Sequence, residues 1–268
     1  MRKLQTLVHS TFQQVVVEFR LFWRSRQTIY LTFLVPMMGM ALLVYLNGEG
    51  MLESAFAALF RGQGKPILNG VSAMTLMTLG LIVYCMVDVA FESMVPRLVR
   101  ERSAGIYKRL GGTPLRAFVF LAAKTLTGGF IVLIEVALIL AMGVLSADVT
   151  VAGSALLLGI ILLLGTFTTA ALGFALSSVT ASAEGAVVAV HAIYIPMLFL
   201  CGAFVPTQAM PKPLQVVAQA VPLTYFVSPF RRVLVDGTNL NGVRVDLLIL
   251  LAWLVGAWIV AVKTFRWE

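Results

Sequence analysis

Residues 118–145 read FVFLAAKTLTGGFIVLIEVALILAMGVL, and Lys124 and Glu135 are the only charges in those 28 positions. A helix crossing the hydrocarbon core of a bilayer needs about 20 mostly apolar residues, so this stretch is read as a span long enough to tilt or to project. Working outward, comparable runs lie at 28–46, 71–93, 150–179, 184–204 and 245–263. Six spans put both termini on one side. Over the 268 residues, 60% are hydrophobic and 12% charged, with mean hydropathy +0.95. Soluble domains run at about 45–50% and 25%, which excludes an ordinary cytosolic enzyme, a disordered chain and a secreted disulfide scaffold. The two cysteines, Cys85 and Cys201, both sit in apolar runs.

The net charge of +8 would suggest nucleic acid in a soluble protein. Here the bases sort by side. Residues 1–27 hold Arg2, Lys3, Arg20, Arg24 and Arg26 against Glu18. The segment 94–117 holds Arg97, Arg100, Arg102, Lys108, Arg109 and Arg116. With Lys124, Lys263 and Arg266 this makes fourteen of the twenty bases; Arg61, Lys65, Lys212, Arg231, Arg232 and Arg244 fall on the other side. Short-loop Lys/Arg excess marks the cytoplasmic face, so both termini and the 94–117 segment are expected inside. The charge is an orientation signal, and no nucleic-acid partner is expected. In residues 1–27, Leu4, Leu7, Val8, Phe12, Val15, Phe19 and Trp23 recur at helical steps, with Gln13, Gln14, Glu18 and Arg20 between them. This predicts an amphipathic helix in the cytoplasmic interface rather than a signal peptide, since Arg20, Arg24 and Arg26 interrupt the apolar pattern. Periodicity alone leaves a simple membrane anchor open.

Two segments between spans are not ordinary loops. Pro96-Arg97-Leu98-Val99-Arg100-Glu101-Arg102-Ser103-Ala104-Gly105-Ile106-Tyr107-Lys108-Arg109-Leu110 predicts a short cytoplasmic helix opened by Pro96 and stopped at Gly111-Gly112. Thr113-Pro114 would cap and restart the next helix. A solvated positive loop is the plainer alternative; two capped elements favour a docking element. Residues 205–244 hold five of the ten prolines, yet Leu214, Val217, Ala218 and Val221 keep helical spacing, Ser228-Pro229 reads as the cap and first turn of another helix, and apolar residues persist from Leu223 to Val235. The pieces are too short to span, which fits interfacial or re-entrant helices acting as an outer gate; a surface-lying loop is the alternative.

Ionisable residues inside spans need a reason. Glu135 stands near the middle of span three and is expected to find a buried base, stay protonated or line a substrate path. Asp88 and Glu92, one turn apart near the inner end of span two, are expected to form salt bridges with the following basic segment. His191 in span five has no neighbours at metal-ligand spacing and is expected to be a hydrogen-bonded packing residue. Met37, Met38, Met40, Met74, Met77 and Met86 could form an adaptable substrate surface, but gap-filling is the more common use of Met. Gly165, Thr169 and Gly173 form a small-residue row that permits close helix approach.

Taken together, the N-terminal helix, the six spans, Arg100-Glu101-Arg102-x-x-Gly105 leading into Leu110-Gly111-Gly112-Thr113-Pro114-Leu115, and Pro222-Leu223-Thr224-Tyr225 followed by Arg231 resemble the permease subunit of an ABC-2 type exporter, the type V or ABCG-like membrane domain. The resemblance covers essentially the whole chain. It implies an all-α membrane protein in which 1–27 is a connecting helix (Phe19, Trp23, Arg24) and 28–268 is a six-span domain. It further implies a coupling helix at 100–111 that touches a separate ATPase through Arg100, Glu101, Arg102, Gly105, Tyr107, Lys108 and Arg109. Segments 213–221 and 224–235 become extracytoplasmic re-entrant helices, with Pro222, Tyr225, Phe226 and Arg231 at an outer gate. Asp88, Glu92 and Glu135 are the candidate path residues.

The implied assembly is two permease copies, as a homodimer, with two cytoplasmic ATPase subunits in a bacterial or archaeal plasma membrane and its lipids. The implied cargo is amphipathic (a drug, natural product or lipid), with a lipid-linked polysaccharide as the alternative. The nearest approach to a P-loop, Gly62-Gln63-Gly64-Lys65-Pro66, has the wrong spacing and proline in place of Ser/Thr. ATP and Mg are therefore expected on the partner, with no cofactor or metal in this chain. An ion-coupled secondary transporter using Glu135 is the reading from another class, but 1–134 and 135–268 show no duplication of the kind such folds carry.

Overall fold

The computed structural model describes residues 2–59, 72–112, 117–146 and 149–264. The Thr113-Pro114 restart, the 62–66 stretch, and Arg61, Lys65, Arg116 and Arg266 lie outside these described residues. The elements are α1 (Arg2–Arg24), α2 (Tyr30–Gly48), α3 (Met51–Leu59), α4 (Ala73–Ser103), α5 (Ile106–Gly111), α6 (Ala117–Ser146), α7 (Ala155–Val179), α8 (Ala183–Leu200), α9 (Lys212–Gln219), α10 (Thr224–Asp236) and α11 (Leu240–Thr264). All regular structure among the described residues is helical, and α2, α4, α6, α7, α8 and α11 are long and apolar enough to cross a membrane.

The second span, α4, is the centre of the bundle. In its most apolar stretch 72% of residues are buried, against 17% in α2 and α11, whose outer faces are left for lipid. Span four, α7, packs along α11 and also meets α4, α6 and α10. The small-residue row makes this possible. A Cβ on Gly165 would fall 2.6 Å from the Phe226 ring, and one on Gly173 would fall 2.5 Å from the Ala90 carbonyl. Several hydroxyls inside the spans are satisfied locally: Thr125, Thr127, Thr166, Thr168 and Thr169 each donate to the carbonyl four residues back, whereas the buried Thr78 hydroxyl has no partner among the described residues. Met40, Met74 and Met86 are buried and fill core space, while Met38 is exposed.

The structure departs from the sequence reading at the end of span two. No loop begins at residue 94. Instead α4 runs through a π-helical turn, Asp88–Ser93, and continues to Ser103. The cause is Pro96, which lacks the N–H that would meet the Glu92 carbonyl in a regular ladder. Span one repeats the device, with a π-turn at Tyr30–Leu34 just ahead of Pro36. The helix stops at Gly111-Gly112 as anticipated, but a further break comes at Gly105 (φ +70°), so the 100–111 segment is two pieces joined at a left-handed glycine.

The two ends of the bundle are built differently. At one end, Trp258 near the close of α11 stacks edge-on with Phe118 at the start of α6 and Phe174 near the end of α7 (5.9 and 6.2 Å). That same end carries α1 and α5. At the other end lie α9, α10 and the start of α11. The Ala152 N–H, just ahead of α7, donates to the Leu234 carbonyl there (2.8 Å).

Candidate functional site

Helix α1 packs along the first half of α6. It buries its one acid, Glu18, and exposes Phe12, Val17, Leu21 and Trp23. That is the inverse of a soluble amphipathic helix and suits an apolar surround. Phe19 meets Trp23 and Phe130 edge-on at 5.9 and 5.7 Å, and Arg24 is exposed.

Glu18 turns inward because it completes a cluster of charges. The Lys124 Nζ lies 3.0 Å from Glu18 Oε1 and 3.3 Å from Glu101 Oε2. Arg97 donates to Glu101 at 2.8 Å and to Glu18 at 3.3 Å. The Tyr107 hydroxyl donates to Glu101 Oε2 at 3.0 Å. Its ring lies 5.4 Å from Phe120, over which Lys124 also sits at 5.0 Å. Two acids balance two bases, so the cluster is neutral and each charge is paired, the condition for keeping charges buried. Burial first, then the neighbouring Glu101 carboxylate, holds the Tyr107 phenol well above its ordinary value, so it remains a donor. Four elements (α1, α4, α5 and α6) are thereby tied at one point.

The anticipated coupling residues divide into two groups. Glu101 and Tyr107 turn into the cluster. The Arg102 guanidinium donates to the Ser177 carbonyl (3.0 Å) and to that of Thr180, capping the end of α7 where orphan carbonyls favour a cation. Arg100, Lys108, Arg109 and Ile106 are exposed. Sequence reasoning did not place Glu18, Arg97 or Lys124 in a site. The available signal was Lys124 itself, a base six residues inside an apolar run.

A cavity of about 460 Å³ extends from this cluster into the bundle. Glu18, Arg97, Arg100 and Lys124 line one part of it, and Tyr84, Asp88 and Glu92 form a stripe along α4 in another. The expected salt bridges from Asp88 and Glu92 to the basic segment are absent among the described residues, because Arg97 is taken by Glu18 and Glu101. Glu92 instead accepts from the Tyr194 hydroxyl at 2.7 Å and meets His191 Nε2 at 3.0 Å. His191 Nδ1 faces the Val187 carbonyl at 2.8 Å and must donate to it. A proton therefore lies between Nε2 and Glu92, held by one or the other. His191 is thus hydrogen-bonded, as expected, though half-exposed. Glu135 is wholly buried, and neither carboxyl oxygen has a hydrogen-bond partner. No three metal-ligating side chains converge among the described residues.

At the far end, Phe226 is fully buried against Gly165 and Met86 and lies 5.2 Å from Phe230. Pro222 is buried beside it, and the Tyr225 hydroxyl donates to the Gln219 carbonyl (2.8 Å), stitching α10 to α9. Arg231 is partly exposed, and its neighbour Arg232 pairs with Asp246 and donates to the Gly242 carbonyl (3.0 Å) at the start of α11.

Comparison with known proteins agrees with this architecture. The chain is 28% identical over 172 residues to "Inner membrane transport permease YhhJ" of Escherichia coli (strain K12), and matches the protein of that name from Shigella flexneri equally. The match covers 63% of this chain and 46% of each relative, so the chain spans about half the length of the proteins it matches. Residues 11–235, from α1 to the end of α10, match the family model described as ABC-2 type transporter, and the chain belongs to that family.

Proposed function

We propose that this chain is the membrane subunit of an ATP-driven exporter, converting nucleotide binding on a separate cytoplasmic ATPase into outward movement of an amphipathic cargo. The observation that carries this reading is the neutral cluster of Glu18, Arg97, Glu101, Lys124 and Tyr107. It joins a short surface helix bearing exposed Ile106, Lys108 and Arg109 to two spans and to α1. A force applied to α5 passes through the Tyr107 hydroxyl to Glu101 on α4, which the paired charges hold to α6 and α1. The fourteen bases on this side support a cytoplasmic orientation for α1, α5 and both termini.

Two copies, with the same face of α4 and α8 turned toward the centre, form the path. The half-exposed Glu92–His191 pair supports this assembly, because such a pair at membrane depth belongs on a wet or protein-covered surface rather than against lipid. Helices α9 and α10 act as the re-entrant outer closure, with Phe226 filling the gap over Gly165.

The test is co-purification of the tagged full chain from its native membrane. An ATPase polypeptide is expected in the eluate, and the paired substitutions Lys108→Glu and Arg109→Glu should release it while leaving the permease folded. Export that continues on a proton gradient without ATP, with no ATPase retained, would move the chain to the ion-coupled class.

A further inference from the structure

The carboxyl groups in the middle of the bundle are not accounted for by force transmission. The cluster around Lys124 is neutral by itself and needs none of them. Asp88 and Glu92 interact with each other across one turn of the π-helical segment, on the face that lines the 460 Å³ cavity. Glu135 stands one turn beyond Ile131, which also lines that cavity, on the same face of α6. It is fully buried with both oxygens unpartnered, and Asp88 is the charge that acts on it. Among the described residues no lysine or arginine pairs with any of the three. Of the bases nearby, His191 shares a single proton with Glu92, so that pair is neutral as a unit; Arg97 and Lys124 are taken by the cluster, and Arg100 lies twelve residues, about 18 Å, along α4 from Asp88.

Asp88 therefore faces the open cavity at membrane depth with no ion-pair partner among the described residues, and Glu135 lies buried behind the wall. Uncompensated acids are costly at that depth, so such groups persist where something positive visits them. The cavity walls suit more than a bare ion. Tyr84 and Phe22 supply ring faces, which attract cations on organic frames, and the volume lies in the range of small-molecule sites.

We propose that this cavity selects a positively charged amphiphile, whose cationic centre is held by Asp88 with Glu92 while its apolar body lies against Tyr84 and Phe22. The inference rests on the transporter reading and adds to it the charge of the cargo. A neutral or anionic lipid would find no partner for the acids and would meet their repulsion.

The experiment uses the purified full chain in nanodiscs, without an ATPase, and equilibrium binding of two probes of nearly identical shape and opposite charge. Tetraphenylphosphonium is expected to bind saturably and tetraphenylborate is not. Asp88→Asn should weaken phosphonium binding about 30-fold or more, the loss expected when one partner of a desolvated charge contact is removed. Asp88→Glu should retain binding, and Glu92→Gln provides an independent arm if Asp88→Asn folds poorly. Equal binding of the two probes, unchanged affinity in Asp88→Asn and Glu92→Gln, or displacement of the phosphonium by millimolar sodium would each overturn the proposal. A chain that binds the phosphonium yet never retains an ATPase keeps the cation site and loses the exporter reading. A chain that retains an ATPase but does not discriminate between the probes loses the cation selectivity alone.

Discussion

Lys124 is the residue on which the end of the bundle that carries α1 and α5 turns. Its ammonium is nearly as buried as the Glu18 carboxylate it meets, and it also holds Glu101. Lys124→Met leaves two acids with only Arg97 to compensate. Removing one partner of a buried ion pair costs about 3–5 kcal/mol, and Arg97 brings the expected loss to the low end, about 3 kcal/mol. Adding Glu18→Gln removes the stranded charge and should recover part of it. Thermal unfolding of the purified variants reads this directly; additive losses would mean the two side chains do not interact. Tyr107→Phe removes one hydrogen bond to a charged acceptor and should cost about 1.5–3 kcal/mol. The phenol's folded-state value lies above its unfolded value of about 10. Its contribution is therefore complete below pH 10 and fades as pH rises further, so the cost of Tyr107→Phe should be flat from pH 6 to pH 9 when unfolding is followed across that range.

At the scale of elements, the two glycines that shape this half of the bundle act by different physics. Gly105 holds φ +70°, and a Cβ added there would meet nothing within 4 Å, so Gly105→Ala carries only a backbone cost, about 1–2 kcal/mol. Gly173 has an ordinary helical backbone but would drive a Cβ to 2.5 Å from the Ala90 carbonyl, inside the π-helical turn. A backbone atom cannot step aside as a flexible side chain can, so Gly173→Ala should be the more damaging, at about 1–3 kcal/mol or above. Melting of the two variants side by side gives the order; a milder Gly173→Ala would mean that α4 and α7 separate freely. The six spans were legible because length and apolarity are properties of each segment alone. The join at Gly105 and the passage of α4 through residue 94 were not. The first depends on Arg102 reaching the end of α7, 75 residues on. The second depends on a helix tolerating Pro96 by widening one turn, which alters too few positions to change the apolar pattern. The charge cluster was not legible as one: in the sequence Glu101 and Tyr107 read as facing a partner ATPase, and Glu18 as the wet side of an amphipathic helix, whereas all three turn inward around Lys124 and Arg97.

For the whole molecule, the question is which of its apolar faces meets lipid. Most of α2 and α11 is exposed and uniformly apolar, as a lipid-facing surface should be. The exposed strip of α8 is different: Val187 and Ile195 flank His191, which is half-exposed and paired with Glu92. Hydrocarbon does not solvate such a pair, and each group at membrane depth finds water or protein instead. The face of α8 that carries His191 should therefore line an aqueous path or meet a second copy of the chain. Cys85 and Cys201 are buried and form a quiet background. A cysteine at Val187, one turn before His191 and 43% exposed, should react with a membrane-impermeant maleimide in native vesicles or cross-link to its symmetry mate. A cysteine at Leu251 on α11, 45% exposed, should do neither, since its surroundings are hydrocarbon, where a thiolate does not form and the reagent does not enter. Equal inertness at the two positions would place the His191 face in lipid and remove the support for a central path built from α4 and α8. Reaction at Val187→Cys that is blocked by tetraphenylphosphonium would tie that face to the cation cavity, joining the path and its cargo in one measurement.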